Sequence, residues 1–153
     1  MRVLITGSRN WEGLAAENRL YRVLDQVQKL AYQLGSPLTV VHGDCPTGAD
    51  AHADRWCRRR EEEVTLETYP ADWTIYGKFA GPIRNEIMVN LGADMCIGFL
   101  RPPSKGTAGC LELAREAGIP TFVINWEEGW DVTENYANSR ANSGGTGRSL
   151  RAA

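Results

Sequence analysis

Residues 38–60 join a strand, a glycine loop and a helix without a break. Residues 38–41 are apolar, and the loop after them reads His42-Gly43-Asp44-Cys45-Pro46-Thr47-Gly48-Ala49-Asp50. Gly43 and Gly48 lack a Cβ, so the backbone can approach another segment or a ligand closely. Thr47 and Asp50 have the spacing of a capping box, which predicts a helix start at Thr47. Such a start can bind an anion, because free N–H groups and the helix dipole point the same way. The same pattern is equally typical of a strand-to-helix turn without a ligand.

The loop sequences exclude two well-known classes of nucleotide site. Gly43 and Gly48 have the glycine spacing that opens a P-loop, but Ala49 and Asp50 stand where a P-loop needs Lys and Ser/Thr. Without the lysine for the phosphates and the hydroxyl for Mg²⁺, the chain is not a P-loop NTPase. The segment after the first strand, residues 7–13, also lacks the Gly-x-Gly-x-x-Gly pattern of dinucleotide-binding proteins.

Five apolar segments alternate with helical patterns along the chain. The predicted strands are residues 3–5, 38–41, 64–69, 95–100 and 121–124, and the polar–apolar alternation of 64–69 is typical of an edge strand. Between them, apolar residues at helical spacing predict buried stripes: Leu20, Val23, Leu24, Val27, Leu30, Ala31 and Leu34; Ala49, Ala53, Trp56 and Cys57; Ile83, Ile87, Met88 and Leu91. Parallel strands need helical crossovers, so the predicted fold is α/β: a doubly wound, mainly parallel five-stranded Rossmann-like sheet with helices on both faces.

The net charge, the cysteines and the apolar runs indicate which partners and which cellular compartment to expect. A net charge of −2 argues against non-specific nucleic-acid binding through the whole surface, although local basic patches are still allowed. The four cysteines (Cys45, Cys57, Cys96 and Cys110) show no short-spaced framework, which predicts reduced thiols and a cytoplasmic protein. No apolar run reaches membrane-spanning length, so no membrane association is predicted.

Three loops that follow strands predict the ligand site, because such loops share one edge of a parallel sheet. Arg9 and Arg84 are suited to clamp a phosphate, with a structural ion pair to Asp44 or Asp50 as the alternative. Residues 105–107 open a helix, which suits phosphate binding and plain capping alike.

Two further residue sets allow weaker predictions. Trp11, Trp73 and Tyr76 can stack on a base or anchor their own loops. The spacing of His42, Cys45, His52 and Cys57 matches no common zinc motif, so no metal is predicted.

Four segments occur in an order that resembles the SLOG superfamily: Gly7-Ser8-Arg9, the loop of residues 42–50, Gly81-Pro82-Ile83-Arg84-Asn85, and Lys105-Gly106-Thr107. This superfamily includes DprA-like and Lonely Guy proteins, and the chain is most similar to its YspA-like (DUF2493) branch. The resemblance implies that residues 1–125 form a nucleotide-binding domain of Rossmann type, and residues 126–153 are predicted to be a mobile C-terminal extension. The predicted ligand-binding residues are Gly7, Ser8, Arg9, Gly43, Asp44, Thr47, Gly48, Asp50, Arg84, Asn85, Lys105, Gly106 and Thr107.

One departure from the superfamily bears on catalysis. Its base-cleaving members carry a glutamate three residues after the threonine of a Gly-Gly-x-Gly-Thr loop, and here that position is Cys110. Asp50 and Glu86 are the remaining carboxylates that could act in its place. The predicted function is therefore binding of a nucleotide or nucleotide-derived small molecule, without a cofactor, for sensing or sequestration. The alternatives are an N-glycosidase acting on nucleoside monophosphates and a DprA-like DNA-binding module, and the sequence leaves open whether the chain forms a homo-oligomer.

Overall fold

The computed structural model describes residues 1–126 and Tyr136. The rest of the predicted C-terminal extension lies outside the described residues. Five strands, five α-helices and one 3₁₀ turn follow one another along this part of the chain. In chain order they are β1 (Arg2–Gly7), α1 (Leu14–Gln33), β2 (Leu38–His42), α2 (Gly48–Arg58), β3 (Val64–Thr68), α3 (Trp73–Tyr76), the 3₁₀ turn (Gly77–Phe79), α4 (Ala80–Asn90), β4 (Met95–Leu100), α5 (Lys105–Glu116) and β5 (Thr121–Asn125).

The strands form one sheet in the order β3-β2-β1-β4-β5, and every pairing is parallel. The predicted doubly wound α/β fold is thus confirmed, as is the edge position of β3. The chain winds outward from β1 in one direction through β2 and β3, and then in the other through β4 and β5. The direction reverses between β1 and β4, and the crevice beyond their carboxyl ends is where such sheets bind ligands.

Helices cover both faces of the sheet, because alternate residues of each strand point to opposite sides. Val3 and Ile5 belong to the core cluster of α1 and α2, whereas Leu4 of the same strand packs with residues of α4 and α5. The apolar stripes predicted for α1 and α2 are buried there, except Leu34, which ends α1 and is half exposed. No helix among residues 1–126 combines the length and apolar character needed to cross a membrane.

The buried face of α4 differs from the prediction. Ile87 and Leu91 are about half exposed, whereas Asn85, Met88 and Val89 face the interior. Asn85 fixes this rotation, because its amide donates to the carbonyl of Gly106 in α5 at 3.4 Å. Since α4 is apolar on two sides, the period of its apolar residues could not show which side faces the sheet.

Candidate functional site

A cavity of about 740 Å³ opens at the carboxyl edge of the sheet, between the segments that follow β1, β2 and β4 and the first turns of α4. Its wall includes most of the predicted ligand-binding residues: Gly7, Arg9, Gly43, Asp50, Arg84, Asn85, Lys105, Gly106 and Thr107. It also includes Trp73, which was a candidate for stacking on a base, and residues that were not predicted to bind a ligand: Thr6, Asn10, Cys45, Gly81, Pro82, Met88, Pro103, Ser104, Gly109 and Leu113. Four predicted residues, Ser8, Asp44, Thr47 and Gly48, do not line it.

Ser8 and Gly48 join the loops of the site from behind. Ser8 is buried, and its hydroxyl accepts a hydrogen bond from the Arg101 backbone N–H at 2.9 Å, which ties the loop after β1 to the loop after β4. Gly48 has φ +70°, and a Cβ there would collide with the carbonyl oxygen of Ser8. The Ala49 N–H donates to that same oxygen at 3.4 Å. The second glycine of the loop therefore serves close backbone packing.

Arg84 lies in the cavity wall and also holds the loop after β2. Its Nε donates to Asn85 Oδ1 at 2.9 Å, and its Nη1 donates to the backbone carbonyls of Gly43 and Tyr69. A Cβ on Gly43 would occupy the position of the guanidinium, so glycine is required for this packing. No ion pair joins Arg84 to Asp44 or Asp50 among the described residues. Arg84 thus has structural partners, but these are two backbone carbonyls and the Asn85 amide oxygen rather than the carboxylates considered as the alternative from the sequence.

Asp50 is the one acidic side chain among the described residues that line the cavity. It is buried, and its Oδ2 accepts a hydrogen bond from the Cys45 N–H at 3.2 Å. Burial raises the pKa of the Asp50 carboxyl, and the nearby charges of His42 and Arg84 offset this only in part. A buried carboxyl with a raised pKa in a cavity wall is typical of binding and catalytic sites.

The predicted capping box at α2 does not form. Thr47 occupies the N-cap position, but its side chain makes no capping hydrogen bond, and the Asp50 carboxylate turns to the Cys45 N–H instead. The exposed Asp44 has φ +56°, and its N–H donates to His42 Nδ1 at 3.1 Å. Hydrogen bonds within the loop have therefore replaced the predicted cap.

The first turn of α5 supplies the opposite wall. Lys105 and Gly106 are exposed, whereas Thr107 is buried and its Oγ1 lies 2.7 Å from the Oγ of Ser104. Ser104 is the N-cap residue, but it makes no side-chain hydrogen bond to the helix backbone. The positive end of the helix dipole and the Lys105 ammonium therefore face the same cavity.

The three candidate aromatic residues have different positions. Trp11 is fully buried, where its Nε1 donates to the Ala16 carbonyl at 3.0 Å and its ring packs edge-on against Phe99 and Trp126. The prediction that Trp11 can stack on a base is therefore wrong. Tyr76 is exposed but does not line the cavity. Trp73 does line it, half exposed, with the Arg9 guanidinium 5.7 Å from its ring centroid.

Of the remaining catalytic and metal candidates, Cys45 lines the cavity and the others do not. Glu86 is exposed and does not line it. Cys110 is fully buried behind the wall, where hydrogen bonds from the Cys96 thiol and the Thr6 hydroxyl lower its pKa. The imidazoles of His42 and His52 contact Asp44 N and Arg55 Nη2. Within residues 1–126, no group of three or more His, Cys, Asp or Glu side chains is arranged to hold a metal ion.

The residues that sequence reasoning missed are mostly small or apolar. Gly81 and Pro82 belong to the third segment of the resemblance, and their position there could have marked them. Met88 and Leu113 carry no sequence signal, because an apolar residue in a cavity wall has the same pattern as one in the core.

Comparison with known proteins identifies the family. The model of the YspA, cpYpsA-related SLOG family matches residues 1–76, which contain both the Gly7-Ser8-Arg9 segment and the loop of residues 42–50. The Gene 61 protein of Mycobacterium phage D29 is 43% identical over 128 residues, which cover 82% of this chain and 95% of that protein. Among solved structures, the C-terminal domain of the PF1911 hydrogenase from Pyrococcus furiosus is 17% identical, with a TM-score of 0.42 over 80% of this chain and 89% of that one. The chain belongs to the YspA-related SLOG family.

Proposed function

We propose that this protein binds a nucleotide or a nucleotide-derived small molecule in the cavity at the carboxyl edge of the sheet. Membership of the SLOG family and the Rossmann-like sheet support a nucleotide-related module. The observation that carries the proposal is that cations, an aromatic face and a buried carboxyl line one cavity. Its volume of about 740 Å³ lies in the usual range for small-molecule sites.

The phosphate is assigned to the side of the cavity that carries Arg9, Lys105 and the first turn of α5. Two exposed cations and the positive end of a helix dipole favour an anion there. Arg84 adds positive charge from the other wall, while its Nη1 holds the carbonyls of Gly43 and Tyr69. Arg84 therefore both shapes the site and contributes to its potential.

The base and the sugar are assigned to the part of the cavity lined by Trp73, Asp50 and Asn85, next to Arg9, whose guanidinium lies 5.7 Å from the Trp73 ring centroid. Trp73 presents a half-exposed ring at the cavity, which suits stacking on a base. The Asp50 carboxyl and the Asn85 amide are buried polar groups that can accept or donate hydrogen bonds to ribose hydroxyls or to the base. Binding of this kind is sufficient for a protein that senses or sequesters its ligand.

Calorimetric titration tests this function with nucleoside monophosphates and diphosphates, and with the corresponding nucleosides as phosphate-free controls. We expect heat of binding for at least one phosphorylated ligand and a much weaker response to its nucleoside. Lys105→Ala and Arg9→Ala should each weaken binding about tenfold or more, since a hydrogen bond to a charged group contributes about 1.5–3 kcal/mol. Lys29→Ala and Arg22→Ala, exposed on α1, are the matched controls. Equal affinities for all four variants would contradict the proposal.

One observation favours an N-glycosidase as the second candidate function. The Asp50 carboxyl lines the cavity with a raised pKa, which is a property of general acids and bases. The replacement of the family glutamate by Cys110, which is buried behind the wall, disfavours it. Chromatography of nucleoside monophosphates incubated with the protein separates the two functions, because only the enzyme releases free base. Activity that is lost in Asp50→Asn would establish the enzymatic function.

A further inference from the structure

Helix α4 and the segment before it expose an unusual amount of apolar surface. Six large side chains between residues 73 and 91 are 47% to 70% exposed: Trp73, Ile75, Tyr76, Phe79, Ile87 and Leu91. We name these six residues the α3–α4 surface. The other large apolar residues that the structure shows exposed, Leu14, Tyr32 and Leu34, belong to α1 or its end.

Part of the α3–α4 surface is aligned along α4. Phe79, Ile83, Ile87 and Leu91 recur every four residues, so they form one stripe along α4. Ile83 is partly exposed within this stripe. The short helix α3 packs against the start of α4, where the Trp73 ring lies next to Gly81.

The stripe is separate from the face by which α4 packs on the sheet. Ala80, Met88 and Val89 are buried on that inner face, together with Asn85. Surface helices normally have one apolar side, and a helix that is apolar all round is normally buried on all sides. Helix α4 therefore has the composition of a helix covered by protein on both sides, although the described residues cover only one.

We propose that the α3–α4 surface is the contact face of a homodimer, with the partner's α3–α4 surface packed against it. A large aromatic side chain buries about 150–250 Å², so the three half-exposed aromatic side chains offer roughly 225–375 Å², and the exposed parts of Ile75, Ile87 and Leu91 add to that area. The combined area lies in the range of the largest apolar patches found on monomers, about 300–600 Å². With the intervening residues it approaches the ~800 Å² per partner of a standard protein interface.

A second copy suits this surface better than another partner, because a twofold contact must be self-complementary. Stripes with four-residue spacing pack against each other by interdigitating i±4 ridges, so the stripe of one α4 fits its own copy. The surface also carries one cation, Lys78, and one anion, Glu86, both exposed. Neither forms an ion pair with another of the described residues. A twofold contact brings equal numbers of these opposite charges from the two copies.

The chain leaves the described sheet on the opposite side of the molecule. The Trp126 ring packs against Trp11, with ring centroids 5.2 Å apart. Tyr136 packs against the same core cluster, which contains residues of α1 and α2 rather than α4. Trp126 and Tyr136, the last residues that the structure describes, therefore lie on the face of the sheet opposite the α3–α4 surface.

The experiment measures the mass of the full chain by sedimentation velocity and light scattering over a dilution series. We expect a species of twice the 16.9 kDa chain mass that dissociates on dilution. Ile87→Asp and Leu91→Asp place a charge in the contact, and each should raise the dissociation constant ~30-fold or more. Tyr32→Asp, on the exposed side of α1, is the matched control and should leave the dimer unchanged. Lys105→Ala should also remain dimeric, which separates this proposal from the ligand site.

A second measurement covers the case in which a substituted chain does not fold. Amide hydrogen exchange of the unmodified protein should show stronger protection of residues 75–91 at high than at low protein concentration. A chain that is monomeric throughout the series overturns the proposal, and binding of that monomer to phospholipid vesicles would assign the face to a lipid surface. A dimer that both aspartate variants leave intact, or protection confined to other segments, also overturns it.

Discussion

Helices α1 and α4 pack on opposite faces of the sheet, and they do so in different ways. Helix α1 buries a single continuous apolar stripe from Ala16 to Ala31. Helix α4 buries a face that includes the polar Asn85, and it exposes the apolar Ile87 and Leu91. Helix α1 contributes apolar side chains to the core. Helix α4 carries the cavity residues Arg84, Asn85 and Met88 on one side and an apolar surface on the other.

This difference shows where a binding site can be built on a doubly wound sheet. The larger core cluster packs β1, β2 and β4 against α1 and α2 with apolar side chains. The layer of α4 and α5 has a smaller cluster, and polar groups such as Asn85 and Thr107 are buried there beside the cavity. The larger apolar cluster thus lies in one layer, and the polar residues of the candidate site lie at the edge of the other.

The largest effect should distinguish a leucine in α1 from a leucine in α4. Leu24→Ala removes a fully buried side chain and should lower the free energy of unfolding by about 2–5 kcal/mol. Leu91→Ala, measured by urea titration of dilute protein, should cost less than about 0.5 kcal/mol because Leu91 is half exposed. Equal losses for the two variants would show that α4 packs like α1.

The next effect concerns the polar side chain on the inner face of α4. Asn85→Leu adds apolar volume but leaves the Gly106 carbonyl and Arg84 Nε without their partner, so it should destabilise the fold by about 1–3 kcal/mol. Asn90→Leu, exposed at the end of the same helix, is the control. A stabilised Asn85→Leu variant, by thermal unfolding, would mean that the inner face of α4 needs no polar contact.

A smaller effect should appear as a pH dependence at the cavity. Because burial raises the folded-state pKa of Asp50, the folded protein binds this proton more tightly than the unfolded chain does. The stability contributed by the protonated carboxyl is complete below the unfolded pKa, and it is lost as pH rises through the folded pKa. Asp50→Asn cannot ionise, so it should raise the melting temperature at neutral pH and show no such advantage at acid pH. Melting curves measured from acid to neutral pH test this expectation. An Asp50→Asn variant that is less stable than the unmodified protein at neutral pH would contradict it.

The smallest effect is expected at the start of α2. Thr47→Ala should change stability by less than about 0.5 kcal/mol, because the Thr47 hydroxyl makes no capping hydrogen bond. A working threonine cap would cost about 1 kcal/mol to remove. Asp72, whose carboxylate accepts from the Ile75 N–H at 3.0 Å, is the comparison residue, and Asp72→Ala should cost more. If urea titration shows that Thr47→Ala lowers the free energy of unfolding by about 1 kcal/mol, the capping box does form.

Sequence by itself determined the architecture of residues 1–126 and the edge at which the candidate site lies. Short apolar runs alternating with helical periods allow only a parallel sheet with crossover helices, and in such a sheet the loops after the strands share one edge. This is why Gly7, Gly43 and Lys105, far apart in the chain, could be assigned to one site from the sequence, and all three line the cavity.

Tertiary structure alone decided which side chains at that edge face the cavity and which hold the loops. Periodicity reports a helix's apolar sides but not their partners, so the rotation of α4 depended on the contact between Asn85 and Gly106. Local spacing predicted a cap from Thr47 and Asp50, but the Cys45 N–H competed for the carboxylate. Trp11 lies in the core, whereas Trp73 lines the cavity. The sequence could not distinguish these two positions, because burial depends on contacts between segments that are distant in the sequence.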